Sequence, residues 1–222
     1  MPQEVIDGRR ARGDETRRIV LAHAVDLASV GGLDGLSIGQ LAEASGQSKS
    51  GVATLFGSKQ ALQLAVVEAA QTVFTREVVE AVRARIPRGL DRVVALVTGW
   101  IEYSRGRVFA GGCFFSAASA EFDSKPGPVR DAVMGALDAW ESYLAASLAH
   151  AASELPGMSD PAQIAFEATA VLATANTRSL LHDSDVPYAR AAAAIRDRLH
   201  SLGADEAKLA PLAAVADDVT AP

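Results

Sequence analysis

The chain has one cysteine, few aromatics, no long apolar run and no surplus of basic charge, and each shortage excludes something. A lone Cys113 rules out an internal disulfide framework. Hydrophobic residues make up 49% of the 222, yet Lys, Arg, Asp or Glu interrupts every long apolar stretch, so no run of about 20 residues is free to cross a bilayer. The opening MPQEVIDGRRARGDETRR has charges but no following apolar core, so it does not read as a secretory signal. Alternating strand patterns are also missing, while Pro and Gly punctuate segments of helical period. A soluble, cytoplasmic, all-α protein is expected, with no membrane contact.

Catalytic equipment is scarce as well. His23, His150, His182 and His200 are scattered without the paired spacing of metal ligands, so no metal site and no cofactor are expected. No glycine-rich phosphate loop follows a strand, and there is no nucleophile elbow or Cys-His dyad. Glu121, Asp123 and Asp131 are explained by helix capping and solvated charge. No catalytic residue is assigned, and an enzyme is the least favoured reading.

What is present is concentrated in Ser37 to Lys59, SIGQLAEASGQSKSGVATLFGSK, which reads as two short helices joined by a tight turn. Ser37 is placed to cap the first helix, with Gln40 three residues on completing a capping box. Ile38, Leu41 and Ala42 share one face, and Gly46 stands where the chain must turn. Ser48 begins a second helix whose Val52, Leu55 and Phe56 form an apolar stripe, leaving Lys49, Ser50, Ala53 and Thr54 on another face. Helices this short need each other, and the pair has the form of a helix-turn-helix whose second helix is free for a major groove.

The net charge of −6 does not contradict this. Residues 1–60 hold 7 Lys+Arg against 7 Asp+Glu, so the whole excess of acid lies beyond them. Arg9, Arg10, Arg12, Arg17 and Arg18 gather near the start, where two readings stay open: an arm that meets phosphates or a minor groove, or a solvated, disordered tail, the two being compatible if the arm orders on binding.

The domains expected are a basic arm at 1–13, a helix-turn-helix domain at 14–60, a larger helical domain at 61–203 and an unstructured tail at 204–222. Asp14 is read as the cap of a first helix that packs through Ile19, Ala22, Val25 and Leu27 and stops at Gly31 and Gly32. A long helix follows from Ser58 to about Arg85, ended by Pro87. Further helices are expected at 89–105, 112–122, 128–153, 161–182 and 187–202.

Residues 14–62 resemble the DNA-binding domain of the tetracycline-repressor (TetR) family of bacterial transcription regulators. Ile19 and Ala22 carry the likeness, followed by Ser37, Ile38, Leu41, Ala42, Gly46, Ser48, Lys49, Phe56, Ser58, Lys59 and Leu62. The resemblance implies an all-helical homodimer that binds double-stranded operator DNA and releases it when a small molecule enters the larger domain. It implies DNA contacts from Ser37, Ser48, Lys49, Ser50, Gly51, Ala53, Thr54 and Lys59. The chain departs from the family where Ala53 replaces a frequent aromatic, Leu55 a frequent His and Gly51 a frequent hydroxyl residue. Base reading then falls to Lys49 and Ser50, and phosphate anchoring to Lys59, Ser37, Thr54 and helix-end amides. The same departures motivate an alternative: a helical small-molecule or partner-binding protein with a degenerate head.

In the larger domain Phe74, Trp100, Tyr103, Phe109, Cys113, Phe114, Trp140, Tyr143 and Phe166 are the candidates for lining an effector pocket. Burial in the core competes with that role for each of them, as for Cys113 burial competes with redox sensing. The segment 161–177, PAQIAFEATAVLATANT, carries a single charge, Glu167, and therefore wants cover on most sides. With the apolar face of 187–202 it is expected to form a homodimer interface whose two-fold symmetry suits a palindromic operator.

Overall fold

The computed structural model describes the backbone of residues 3–218 and the side chains of residues 11–218. Among the described residues there are only helices: α1 (Gln3–Gly31), α2 (Ile38–Ser45), α3 (Lys49–Phe56), α4 (Lys59–Phe74), α5 (Leu90–Arg105), α6 (Phe114–Phe122), α7 (Pro128–Ala149), α8 (Pro161–His182), α9 (Val186–Ser201) and α10 (Glu206–Asp217). Helix α4 runs on through a π-type segment, Thr75–Glu80, and a last short piece, Ala81–Arg83. Among the described residues no helix is long and apolar enough to cross a membrane.

The chain divides into two compact units. One comprises Met1–Thr72 with Phe109–Val133, the other Val73–Val108 with Met134–Pro222. The segment 109–133, assigned from sequence to the larger domain, therefore folds with the N-terminal helices.

In the first unit, the buried stripe of α1 is Val20, Ala24, Val25 and Ala28. Of the residues expected inside, Val25 is buried, Ile19 and Leu27 are half-buried and Ala22 is exposed, because the packed stripe is phased around Val20. Asp14 does not cap α1, which already begins at Gln3, so the expected arm at 1–13 is helical over its described part. The arm's first two residues and the side chains of Arg9 and Arg10 lie outside the described residues. Gly32 takes a left-handed φ of 79° and ends the helix as expected. Leu33, Leu36, Leu41, Ala42, Val52, Phe56 and Leu62 close the core over α1. Phe114, Phe115, Ala118 and Phe122 of α6 are buried in the same unit, where the Phe114 and Phe115 rings meet edge to face at 5.2 Å.

The second unit is built on α5, whose Leu90, Val93, Leu96, Val97 and Ile101 are buried. Leu144, Leu148, Leu172, Tyr188, Ile195 and Leu199 from α7, α8 and α9 supply much of the remaining core. Between α5, α8 and α9 lies a buried polar network. The Ser104 hydroxyl is 2.8 Å from both Asn176 Oδ1 and the Tyr188 hydroxyl, and Arg107 donates to the Tyr188 and Ser179 hydroxyls at 3.1 and 2.9 Å. Such fully bonded groups fix how helices align.

The tail expected at 204–222 is instead mostly α10, capped by Asp205, with Leu209 and Leu212 buried; residues 219–222 lie outside the described part. Its apolar period is easily missed because five of its twelve residues are Ala and Pro211 sits inside it. Lys208 pairs with Glu154 and, at 3.2 Å, with Asp91. Glu154 also accepts from the Leu90 amide at 2.9 Å, capping α5 from another element.

Candidate nucleic-acid interface

The reading element is assembled by its caps. The Ser37 hydroxyl accepts from the Gln40 amide at 3.2 Å and donates to the Gln40 side-chain oxygen at 2.8 Å, so the expected box closes through the hydroxyl instead of the Ser37 amide. Gly46, at φ 66°, ends α2 and lets its amide bond back to Ala42 and Glu43. Ser48 caps α3 by accepting from the Gly51 amide at 3.1 Å. An added Cβ at Gly51 would stand 3.0 Å from Ser48 Oγ, a contact that a small shift of the hydroxyl relieves.

Val52 and Phe56 turn α3 inward, while Lys49, Ser50, Gly51, Ala53 and Thr54 are all exposed. The exposed face is short, carries one cation, and presents two small hydroxyls. Thr54 donates its proton to the Ser50 carbonyl at 2.8 Å, leaving its oxygen as an acceptor. The Ser48 and Ser50 hydroxyls lie 3.3 Å apart. Lys59 is less free than its sequence position implied, because its ammonium donates to the Asp34 carbonyl at 2.9 Å and stands 3.7 Å from the Asp34 carboxylate. Two of its protons remain for another acceptor.

The arginines near the start divide. Arg17 donates to the Leu55 carbonyl at 2.9 Å and covers the Phe56 ring, so it holds α3 instead of facing solvent as an arm residue would. Arg18 is paired with Glu15 at 2.7 Å. Sequence reasoning missed the role of Arg17 because its partners lie about forty positions away and leave no periodic signal.

The effector candidates fall in both units. Phe109, Cys113 and Phe114 are buried in the first. Burial pushes the Cys113 thiol above its ordinary pKa, which favours the unreactive protonated form. In the second, Phe74 packs edge-on against Tyr103 at 5.5 Å and Trp140 at 5.2 Å. Trp100 is buried one turn from Tyr103, and Tyr143 lies one turn from Trp140 with a buried hydroxyl that has no hydrogen-bond partner among the described residues. Phe166 does not join them: it is 57% exposed, on the outer face of α8. Among the described residues no group of three or more His, Cys, Asp or Glu side chains is placed to hold a metal ion.

A capped helix-turn-helix with an exposed second helix is the arrangement with which helical DNA-binding regulators enter a major groove. Residues 89–195 match the tetracyclin repressor-like C-terminal domain. The fold is that of a TetR transcriptional regulator from Chloroflexus aurantiacus, with a TM-score of 0.73 and 24% identity over 87% of this chain and 94% of that one. A TetR-family regulator from Agrobacterium tumefaciens superimposes with a TM-score of 0.75 and 17% identity over 86% of this chain and 100% of that one. AibR, solved with isovaleryl coenzyme A and operator DNA, gives 0.59 and 20% identity over 73% of this chain and 86% of its own. No curated protein matches the sequence. The larger helical part thus carries a tetracyclin repressor-like C-terminal domain, and the fold as a whole is one that TetR-family regulators share.

Proposed function

We propose that this chain is a transcriptional regulator of the TetR family, a ligand-responsive repressor that acts in the cytoplasm and binds a palindromic operator as a homodimer. The observation that carries the reading is the single exposed face of α3. Lys49, Ser50, Ala53 and Thr54 lie there uncovered, while Val52 and Phe56 on the other face are locked into the core. Lys49 donates to guanine O6 or N7, Ser50 adds a less selective bond, and Ala53 offers a methyl contact to thymine. Ser37, Ser48, Gly51 and Lys59, with the leading amides of α2 and α3, hold the phosphates on either side.

Helices α8 and α9 supply the dimer face. Phe166, Ala170, Thr174, Thr177 and Leu181 form an exposed stripe along α8, with small residues at its middle and large ones at its ends. Two grooves of about 390 and 260 Å³ lie between α8 and α9, the larger one lined by Ala170 and Thr174 of the stripe. A second copy crossing near Thr174 brings Phe166 of one subunit against Leu181 of the other and seats the small residues closely. The effector site is proposed in the second unit, around Phe74, Trp100, Tyr103, Trp140 and Tyr143, where the unpartnered Tyr143 hydroxyl gives a ligand a polar group to meet.

In vitro selection of DNA fragments, followed by salt-dependent binding of the winner, tests the reading. Recovery of a palindrome bound with a steep salt slope is expected. A well-folded protein that enriches no sequence would instead favour a helical binding protein with a degenerate head.

A further inference from the structure

The strongest unexplained feature of the first unit is a carboxylate that serves a distant piece of backbone. Glu121, near the end of α6, accepts from the Leu33 amide at 2.7 Å and from the Asp34 amide at 2.9 Å, one bond to each of its oxygens. Those amides belong to the turn that links α1 to α2, so the bonds do nothing for Glu121's own helix. The turn is shaped to admit the carboxylate: a Cβ on Gly32 would stand 2.9 Å from Glu121 Oε2, and Gly32 is left-handed as well. Asp34, in the same turn, receives Lys125 at 2.7 Å and Gln63 at 2.8 Å. A second grip lies at the other end of the segment, where Asp26 and Ser29 of α1 accept from the Ala110 and Gly111 amides at 2.8 and 2.9 Å.

We propose that Glu121 is a positioning residue for DNA recognition, clamping the segment 109–133 to the turn before α2 and so fixing the stance of the helix-turn-helix. The inference rests on the operator-binding reading above. The physical ground is that two charge-assisted bonds to adjacent backbone amides define both distance and direction, whereas apolar contacts of Phe114, Phe115 and Phe122 tolerate sliding. The chain leaves the first unit at three points, after Thr72, before Phe109 and after Val133. Two of these bound the clamped segment, so its attachment governs how firmly a dimer holds its two reading helices at a set separation.

The test uses the full-length protein and operators whose half-sites are moved apart or together by one or two base pairs. The wild-type protein should bind one spacing best. Glu121→Ala should lose about tenfold on that spacing, as expected for lost bonds to a charged group, but lose far less on the altered ones, so that its spacing preference flattens. Glu121→Gln, which keeps one acceptor oxygen and the shape, should fall between the two. Gly32→Ala, which leaves the carboxylate present but displaces it, should reproduce the flattened profile. A uniform loss at every spacing, or an unchanged profile in folded Glu121→Gln and Glu121→Ala, overturns the proposal. If the wild-type protein itself binds no paired half-sites, it is the operator-binding reading that has failed.

Discussion

Arg17 lies over the ring of Phe56, its guanidinium carbon 4.7 Å from the centroid, while one of its nitrogens donates to the carbonyl of neighbouring Leu55 at 2.9 Å. A side chain of α1 thus satisfies a backbone group in the last turn of α3 and stacks on its anchoring ring. Replacing Arg17 with Ala removes a charged hydrogen bond and a cation–π contact, together about 2 kcal/mol. Thermal unfolding should report that loss, and DNA affinity should fall for all sequences alike. A change in base preference would contradict a purely supporting role.

Lys49 is the sole cation on the exposed face of α3. Lys49→Ala is expected to cost about 1–3 kcal/mol and to relax selection at one operator position. Lys59→Ala should weaken every sequence similarly and flatten the salt slope, by less than a free lysine would because Asp34 already shares its charge. Selection repeated with each variant separates the two roles, and an identical, sequence-blind loss from both would refute the division.

At the other end of the chain, the exposure of Phe166 and Leu181, 57% and 76%, is what a second copy should relieve. Phe166→Glu should yield monomers by sedimentation and abolish binding to paired half-sites while leaving the helical content intact. Dimers that persist in this variant would place the interface elsewhere.

Acid should loosen both units. Hydrogen bonds from Lys125 and Gln63 hold the Asp34 carboxyl below its ordinary pKa, and bonds from Lys208 and the Leu90 amide do the same for Glu154. With the folded pKa depressed, the stabilisation is complete above the ordinary carboxylate value of about 4 and is lost as pH falls through the depressed one. Urea midpoints should therefore decline below that range, and Asp34→Asn should shrink the decline. An acid limb unaltered in Asp34→Asn would show that this carboxylate is not coupled to folding.

Helix α10 is predicted to be integral to the second unit. Leu209→Ala should destabilise it by about 2–5 kcal/mol, as for other fully buried leucines. A melting temperature within a degree of the parent would mean that α10 is not docked in solution.

Much of this protein was legible in its sequence because the signals are local. Ser37, Gly46, Ser48 and Gly32 mark helix ends through bonds and backbone angles spanning a few residues, and the bounds of α8 were set by Asp160, Pro161 and the end of the apolar period. Caps and periodicity act within a turn or two of the chain, so they survive the loss of all tertiary information. The separation of an inward from an outward face on α3 was readable for the same reason.

Other features had no local cause. The phase of α1's buried stripe depends on which helices cover it, and Ala-rich α10 is ordered by docking against α5 and α9 more than by its own pattern. The membership of 109–133 in the first unit follows from Glu121, Asp26 and Ser29 meeting backbone amides more than 80 positions away. Arg17 was drawn from the basic arm to α3 by a carbonyl and a ring that sequence distance conceals. The sequence by itself determined where helices start, stop and turn, through short-range hydrogen bonding. Only the tertiary structure decided which polar side chains remain free to meet DNA, because a charge is spent or spared according to the partner that folding brings to it.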